Sequence, residues 1–186
     1  MPIPLQARDQ RRTDQAVGTG HQHGRPSRWR IVLRRALCSG SCASLCSTLA
    51  ISWLSHRRTR ATAAATNATS QWLWGGEAHR QDRVSVRHTL AGYLIHHASS
   101  LFWAIAFERL RRGRRDRPRM AALATATSAV AYAVDYHVVP RRLSPGFDRR
   151  LHGRDLAVIY ASFALGLAVP WLLARGRGTT RMRGGR

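Results

Sequence analysis

HTLAGYLIHHASSLFWAIAFE, residues 88–108, is an apolar run of helix length with His96 and His97 adjacent at its middle and Glu108 at its far end. At a rise of about 1.5 Å per residue, some 20 such residues cross the roughly 30 Å hydrocarbon core of a bilayer. Reading outward from it, three more segments fit the same description. Ala36 to Ser55, ALCSGSCASLCSTLAISWLS, has no charge and is bracketed by Arg34 and Arg35 before it and Arg57 and Arg58 after it. Met120 to Val139 is weakly hydrophobic, rich in Ala, Thr and Ser, and stops at Pro140. Leu156 to Ala174 carries Ser162, Gly166 and Pro170 at four-residue intervals, a stripe that predicts close packing and a kink. The pattern predicts an all-α integral membrane bundle of about four transmembrane helices, with spans near 36–55, 89–107, 120–139 and 156–174. These form one domain, 31–174, between disordered basic tails at 1–30 and 175–186. A cleaved signal peptide is the alternative for the first span, with Ala63, Ala64 and Ala65 near a cleavage point, and would leave three spans.

The formal net charge is +22, and all 31 basic residues are arginine. In a soluble protein such charge would point to nucleic acid. Here the arginines lie between the apolar runs, as membrane topology demands, so no nucleic-acid partner is expected. A basic soluble nucleic-acid binder, the third class considered, would extract into buffer without detergent. Residues 108–119, ERLRRGRRDRPR, hold seven arginines and are expected on the cytoplasmic side with both termini. The expected neighbours are the lipid bilayer and, at the arginine-rich loops, anionic head groups; a homo-oligomer is compatible with the pattern.

Cys38, Cys42 and Cys46 recur every fourth residue along one side of the first span. Three cysteines exclude a fully paired framework. A thiolate metal or redox stripe is the functional reading; helix packing beside Gly40, Ser41, Ala43 and Ser44 is the plainer one. In NATSQWLWGGEA, residues 67–78, Trp72 and Trp74 mark an interfacial anchor or short surface helix, and the Asn67 sequon is assigned no role.

Candidate polar chemistry falls at two depths. His96 and His97 lie near mid-membrane, with His88 roughly 12–15 Å nearer the outer face. Asp135 and His137, at the outward end of the third span, match His88. An outer tier of His88, Asp135 and His137, joined by Glu77, His79, His152 and Asp155, has the donor types for zinc, but no tight metal motif occurs and the metal question stays open. Asp135 and His137 diverge by about 200° on a straight helix. In the inner tier, His96 aligns with Trp103 and His97 with Ala104 and Glu108, so at least one imidazole faces the bundle. Bis-histidine haem is disfavoured because His137 is too shallow, and no cofactor is expected. No catalytic residue is assigned: there is no G-x-S-x-G turn and no glycine-rich phosphate loop.

Three segments, NATSQWLWGGEA, HTLAGYLIHHASSLFWAIAFE and DYHVVPRRLSPGFDRRL at 135–151, resemble a group of small, uncharacterised four-span inner-membrane proteins of proteobacteria. The resemblance covers about residues 36–174 and implies an inner-membrane location but no activity. It also implies a histidine where this chain has Gln71 and an acidic residue where it has Gly76, departures that weaken an outer metal site. The expected function is a non-enzymatic structural or accessory membrane protein. The alternative is a transporter-like or proton- or cation-coupled protein using His88, His96, His97, Asp135 and His137.

Overall fold

The computed structural model of the chain describes residues 27–111 and 116–180, with side chains placed through 174. The described residues are helical and contain no strand. Four long elements dominate: α1, Arg28–Thr59; α4, Ala91–Arg111; α5, Arg117–Ala133; and α6, Gly153–Thr180. Two short ones, α2 (Ala64–Thr69) and α3 (Gln71–Trp74), fill the connection between α1 and α4. A π-helical turn, Val86–Leu90, leads into α4, and another, Val134–Val138, prolongs α5. The first and last helices run further than expected, taking in residues 28–30 and 175–180; the remaining tail residues, 1–26 and 181–186, lie outside the described residues.

Among the described residues, three helices are long and apolar enough to cross a membrane: Arg28–Thr59, Val86–Arg111 and Gly153–Ala174, with mean hydropathies of 1.4, 1.3 and 2.0. The fourth expected span, 120–139, does not meet that standard. Its Ala, Thr and Ser content, with Asp135, Tyr136 and His137 in its π-helical turn, lowers its hydropathy.

α1 is the hub. It packs along both α4 and α6, while α5 lies against α6 and, less extensively, α4. Small residues make this possible, because without large side chains two backbones approach closely. A Cβ added at Gly166 of α6 would lie 2.7 Å from the Cys42 carbonyl oxygen and 2.8 Å from the Ala43 nitrogen. Gly40 meets α4 in the same way, its would-be Cβ lying 3.0 Å from Ala104 Cβ and 3.1 Å from Leu101 Cα. The expected packing role of the Gly40–Ser44 segment is therefore seen directly. The cysteines flank that seam, with Cys38 exposed and Cys42 and Cys46 half-buried as free thiols.

Two apolar clusters fill the interior. One gathers Ala36, Ala43, Ala104, Phe107, Met120, Ala124, Phe163 and Leu167. The other gathers Ile51, Leu54, Ala65, Phe147, Leu151, Leu156 and Ile159. Ser44 and Ser47 of α1 and Tyr160 of α6 fall between them in sequence, a polar belt separating two greasy ends.

The connection between α1 and α4 departs from expectation. All six residues of α2 are buried, and the segment expected as an interfacial anchor or short surface helix, 67–78, begins inside it. Its hydrogen bonds explain the change: Asn67 Nδ2 donates to the Gln81 and Arg83 carbonyls at 2.9 and 3.0 Å, and Thr89 Oγ1 donates to Asn67 Oδ1 at 2.7 Å. Burial of polar groups is tolerable when they are paired. A fully buried Asn67 also offers no site for a glycan. Trp72 and Trp74 stay partly exposed, their indole N–H groups donating to the Ser144 and Arg87 carbonyls at 3.3 and 3.1 Å.

The start of α6 is held by one ion pair. Arg58 Nε and Nη2 donate to the two carboxylate oxygens of Asp155 at 2.8 and 3.0 Å, and Asp155 Oδ2 accepts from the His152 backbone N–H at 3.0 Å. The latter contact is the acidic half of a capping box, in which a third-position carboxylate satisfies the helix's first free donor. Asp155→Ala is expected to cost about 2–3 kcal/mol, the worth of charge-assisted bonds to a buried carboxylate with its partner partly in solvent. Chemical denaturation in detergent of Asp155→Ala, Arg58→Met and the double variant carrying both would check it. Additive losses in that cycle would mean the two residues do not act as a pair.

Candidate functional site

Where the polar belt meets the loops, a cavity of about 40 Å³ opens between α1, α4, α5 and α6. Its walls include His96, Asp135, Ser47, Thr69 and Tyr160, together with Trp72, Trp103, Phe147 and Phe163. The helical register explains the α4 contribution: His96, Ser99, Ser100 and Trp103 are spaced three and four apart and share one face.

His96 Nε2 lies 2.8 Å from Ser47 Oγ across the α1–α4 seam. Ser47 Oγ has one proton and points it at the Ala43 carbonyl 2.7 Å away. In the tautomer protonated on Nε2 the imidazole donates to Ser47 and the lone pair lies on Nδ1. The ring also meets Phe147 edge-on, centroids 5.9 Å apart.

Asp135 enters from the π-helical turn at the end of α5. Tyr160 of α6 donates its phenolic hydroxyl to Asp135 Oδ2 at 2.6 Å. No cationic side chain forms an ion pair with this carboxylate among the described residues. Tyr132 and Tyr136 pack around Tyr160 with ring centroids 5.3 and 6.3 Å away. Ser128 ties the same two helices, donating to the Tyr160 carbonyl at 2.6 Å.

The loops close this end of the bundle. Gln71 Nε2 donates to the Ser144 carbonyl at 2.6 Å, and Gly146 takes the left-handed φ of 74° that turns the chain so that Phe147 is buried. A side chain at Gly146 would crowd Gln71 and the Ala68 carbonyl. Arg150 adds an ion pair to Asp82 at 3.0 Å and a hydrogen bond to the His79 carbonyl. The segment after Pro140 contributes Leu143, Pro145 and Phe147 to the cavity wall.

The expected two tiers are thus redistributed. His96 and Asp135, assigned to different depths, face the same cavity. His88 is buried elsewhere, with Nδ1 3.1 Å from Ser70 Oγ and Nε2 3.6 Å from Glu77 Oε1. His97, though adjacent to His96, points about a quarter-turn away and stacks on Tyr93, centroids 5.7 Å apart. His137 is exposed and meets the edge of Tyr132, whereas Asp135 bonds to Tyr160. Asp155 is engaged by Arg58, and His152 lies 3.6 Å from it. His79 sits near Arg149 and Arg150; burial first, then those two cations, hold its imidazole below the ordinary histidine range, with Asp148 opposing them. Among the described residues, no three His, Cys, Asp or Glu side chains converge in a way that could hold a metal.

Four contributors were missed in the sequence: Ser47, Tyr160, Thr69 and Gln71. Thr69 closes the Asn67 sequon and Gln71 marks only a departure from the resembling group, while Ser47 and Tyr160 sit in no motif. Only Ser47 had a readable signal, as a serine on the same helix face as Gly40 and Ala43. Comparison with protein-family models, curated proteins and solved structures gave no match.

Proposed function

We propose that this chain is a four-span integral protein of a bacterial inner membrane, termini cytoplasmic, with a non-enzymatic structural or accessory role. The observation that carries the membrane assignment is the inverted polarity of α1. Ser39, Ser44, Ser47 and Ser55 are buried, whereas Leu37, Leu45, Leu49 and Trp53 are exposed, Leu49 to 71%. In water that arrangement would leave apolar surface bare. In lipid it is the favourable one, because leucine costs nothing facing acyl chains and small polar groups bond between helices. α5 belongs with the spans on this reading, because the Asp135 and Ser128 bonds tie it to α6.

The accessory role rests on interhelical polar contacts, Ser47 with His96 and Asp135 with Tyr160, that hold the bundle together. A second reading, a proton- or cation-coupled membrane protein, is favoured by a separate observation: His96 and Asp135 face one cavity.

Expression followed by alkaline carbonate washing of the membranes tests the assignment. The chain is expected to stay in the pellet and dissolve only with detergent; release into the carbonate wash would sink the membrane reading. Cysteine labelling in the 108–119 segment, restricted to the cytoplasmic face, checks orientation. Labelling from the opposite face would reverse it.

A further inference from the structure

The cavity combines features that a packing role leaves unexplained. Asp135 is a carboxylate facing apolar and aromatic walls, with a tyrosine hydroxyl as its donor and no ion-pair partner among the described residues. Thr69 is 3% exposed and lines the same space, yet its Oγ1 has no hydrogen-bond partner there. His96 lines it too, and its Nδ1 keeps its lone pair in the tautomer whose Nε2 donates to Ser47. The rings of Trp72, Trp103, Phe147, Tyr160 and Phe163 share its walls. An uncompensated charge in a desolvated site is costly, and ring faces attract cations.

We propose that this cavity binds a small ammonium-type cation, with Asp135 supplying the single counter-charge, His96 and Thr69 accepting N–H hydrogen bonds, and the aromatic walls stabilising the charge through their π faces. The proposal rests on the cation-coupled reading and narrows its ligand. Charge selects a monovalent cation, because one carboxylate balances one positive charge. Chemistry selects nitrogen over a bare metal ion: hard cations such as calcium and magnesium take six or more oxygen ligands, and rings supply none. Size selects a small ion, since about 40 Å³ is of the order of one or two water-sized groups and far below the pockets of larger metabolites.

Detergent-purified full-length protein would be titrated with ammonium chloride at constant ionic strength, reading tryptophan fluorescence, beside sodium chloride. Trp72 and Trp103 report from the cavity wall. The expected result is a saturable change with ammonium, absent with sodium, and weakened about tenfold or more in Asp135→Asn. His137→Ala, altering an exposed ring outside the cavity, should leave it unchanged. If Asp135→Asn fails to elute as a folded species, Trp103→Leu takes its place and should weaken ammonium binding without touching the counter-charge. An equal response to sodium overturns the proposal, as does an ammonium response that survives both variants. No ammonium response, with a pH-dependent fluorescence change lost in Asp135→Asn, overturns it too, but leaves the coupled reading standing as a protonic one. Neither response removes both.

Discussion

Gly166→Leu is expected to leave no folded protein in detergent, and Gly166→Ala to lower stability by about 1–3 kcal/mol, the usual cost of overpacking a close-fitted interior. The atoms nearest the new Cβ belong to the backbone of α1 at Cys42 and Ala43. Flexible side chains can swing aside; a helix backbone must move as a whole. Separating α1 from α6 would also loosen Phe163, Ala164 and Leu167, which pack in the cluster shared with Ala36 and Ala43. Native folds are stable by only about 5–15 kcal/mol, so a bulky side chain here exceeds what the bundle tolerates. Thermal melting by circular dichroism with size-exclusion profiles would show it. Gly153→Ala, where no atom lies within 4 Å of the added Cβ, serves as the control. A Gly166→Leu protein that melts with the parent would refute the close approach of α1 and α6.

Asn67→Ala should cost about 2–4 kcal/mol, because it removes all three hydrogen bonds of a fully buried amide. The Gln81 and Arg83 carbonyls lose their donor and Thr89 loses its acceptor. Thr89 Oγ1 in turn accepts from the Ser85 backbone N–H at 2.9 Å, so the damage spreads to the π-helical turn before α4. The loosened segment contains Arg83 and Arg87, which makes trypsin a direct probe. Early cleavage there, before the helices are cut, is the expected outcome. An unchanged digestion pattern would show that Asn67 is not what holds the connection.

How much of this was legible in the sequence varies with the range of the interaction. The helices were readable because apolar runs and flanking arginines are local signals. The Gly40 and Gly166 contacts were readable in part, since small residues at helical spacing announce close approach without naming the partner. The cavity was not. It depends on which helix lies beside which, and depth alone placed His96 and Asp135 apart. Two things brought them together: the π-helical turn carrying Asp135, and the fold-back of residues 141–149 that buries Phe147. Asn67 was hidden for a related reason, as its partners at 81, 83 and 89 are polar or backbone groups with no pattern of their own.

The polar belt between the two apolar clusters also determines vertical alignment. Helices built from Ala, Leu, Ser and Gly present nearly repetitive surfaces, and sliding one by a turn, about 5.4 Å, exchanges one small residue for another at little cost. Ser47 with His96, Ser128 with the Tyr160 carbonyl and Asp135 with Tyr160 break that degeneracy. Each bond forms at one offset alone, and together they link α1 to α4 and α5 to α6. They act as detents, so that an otherwise slippery stack of helices has one height at which it comes to rest, as a single polar pair can set the register of a coiled coil.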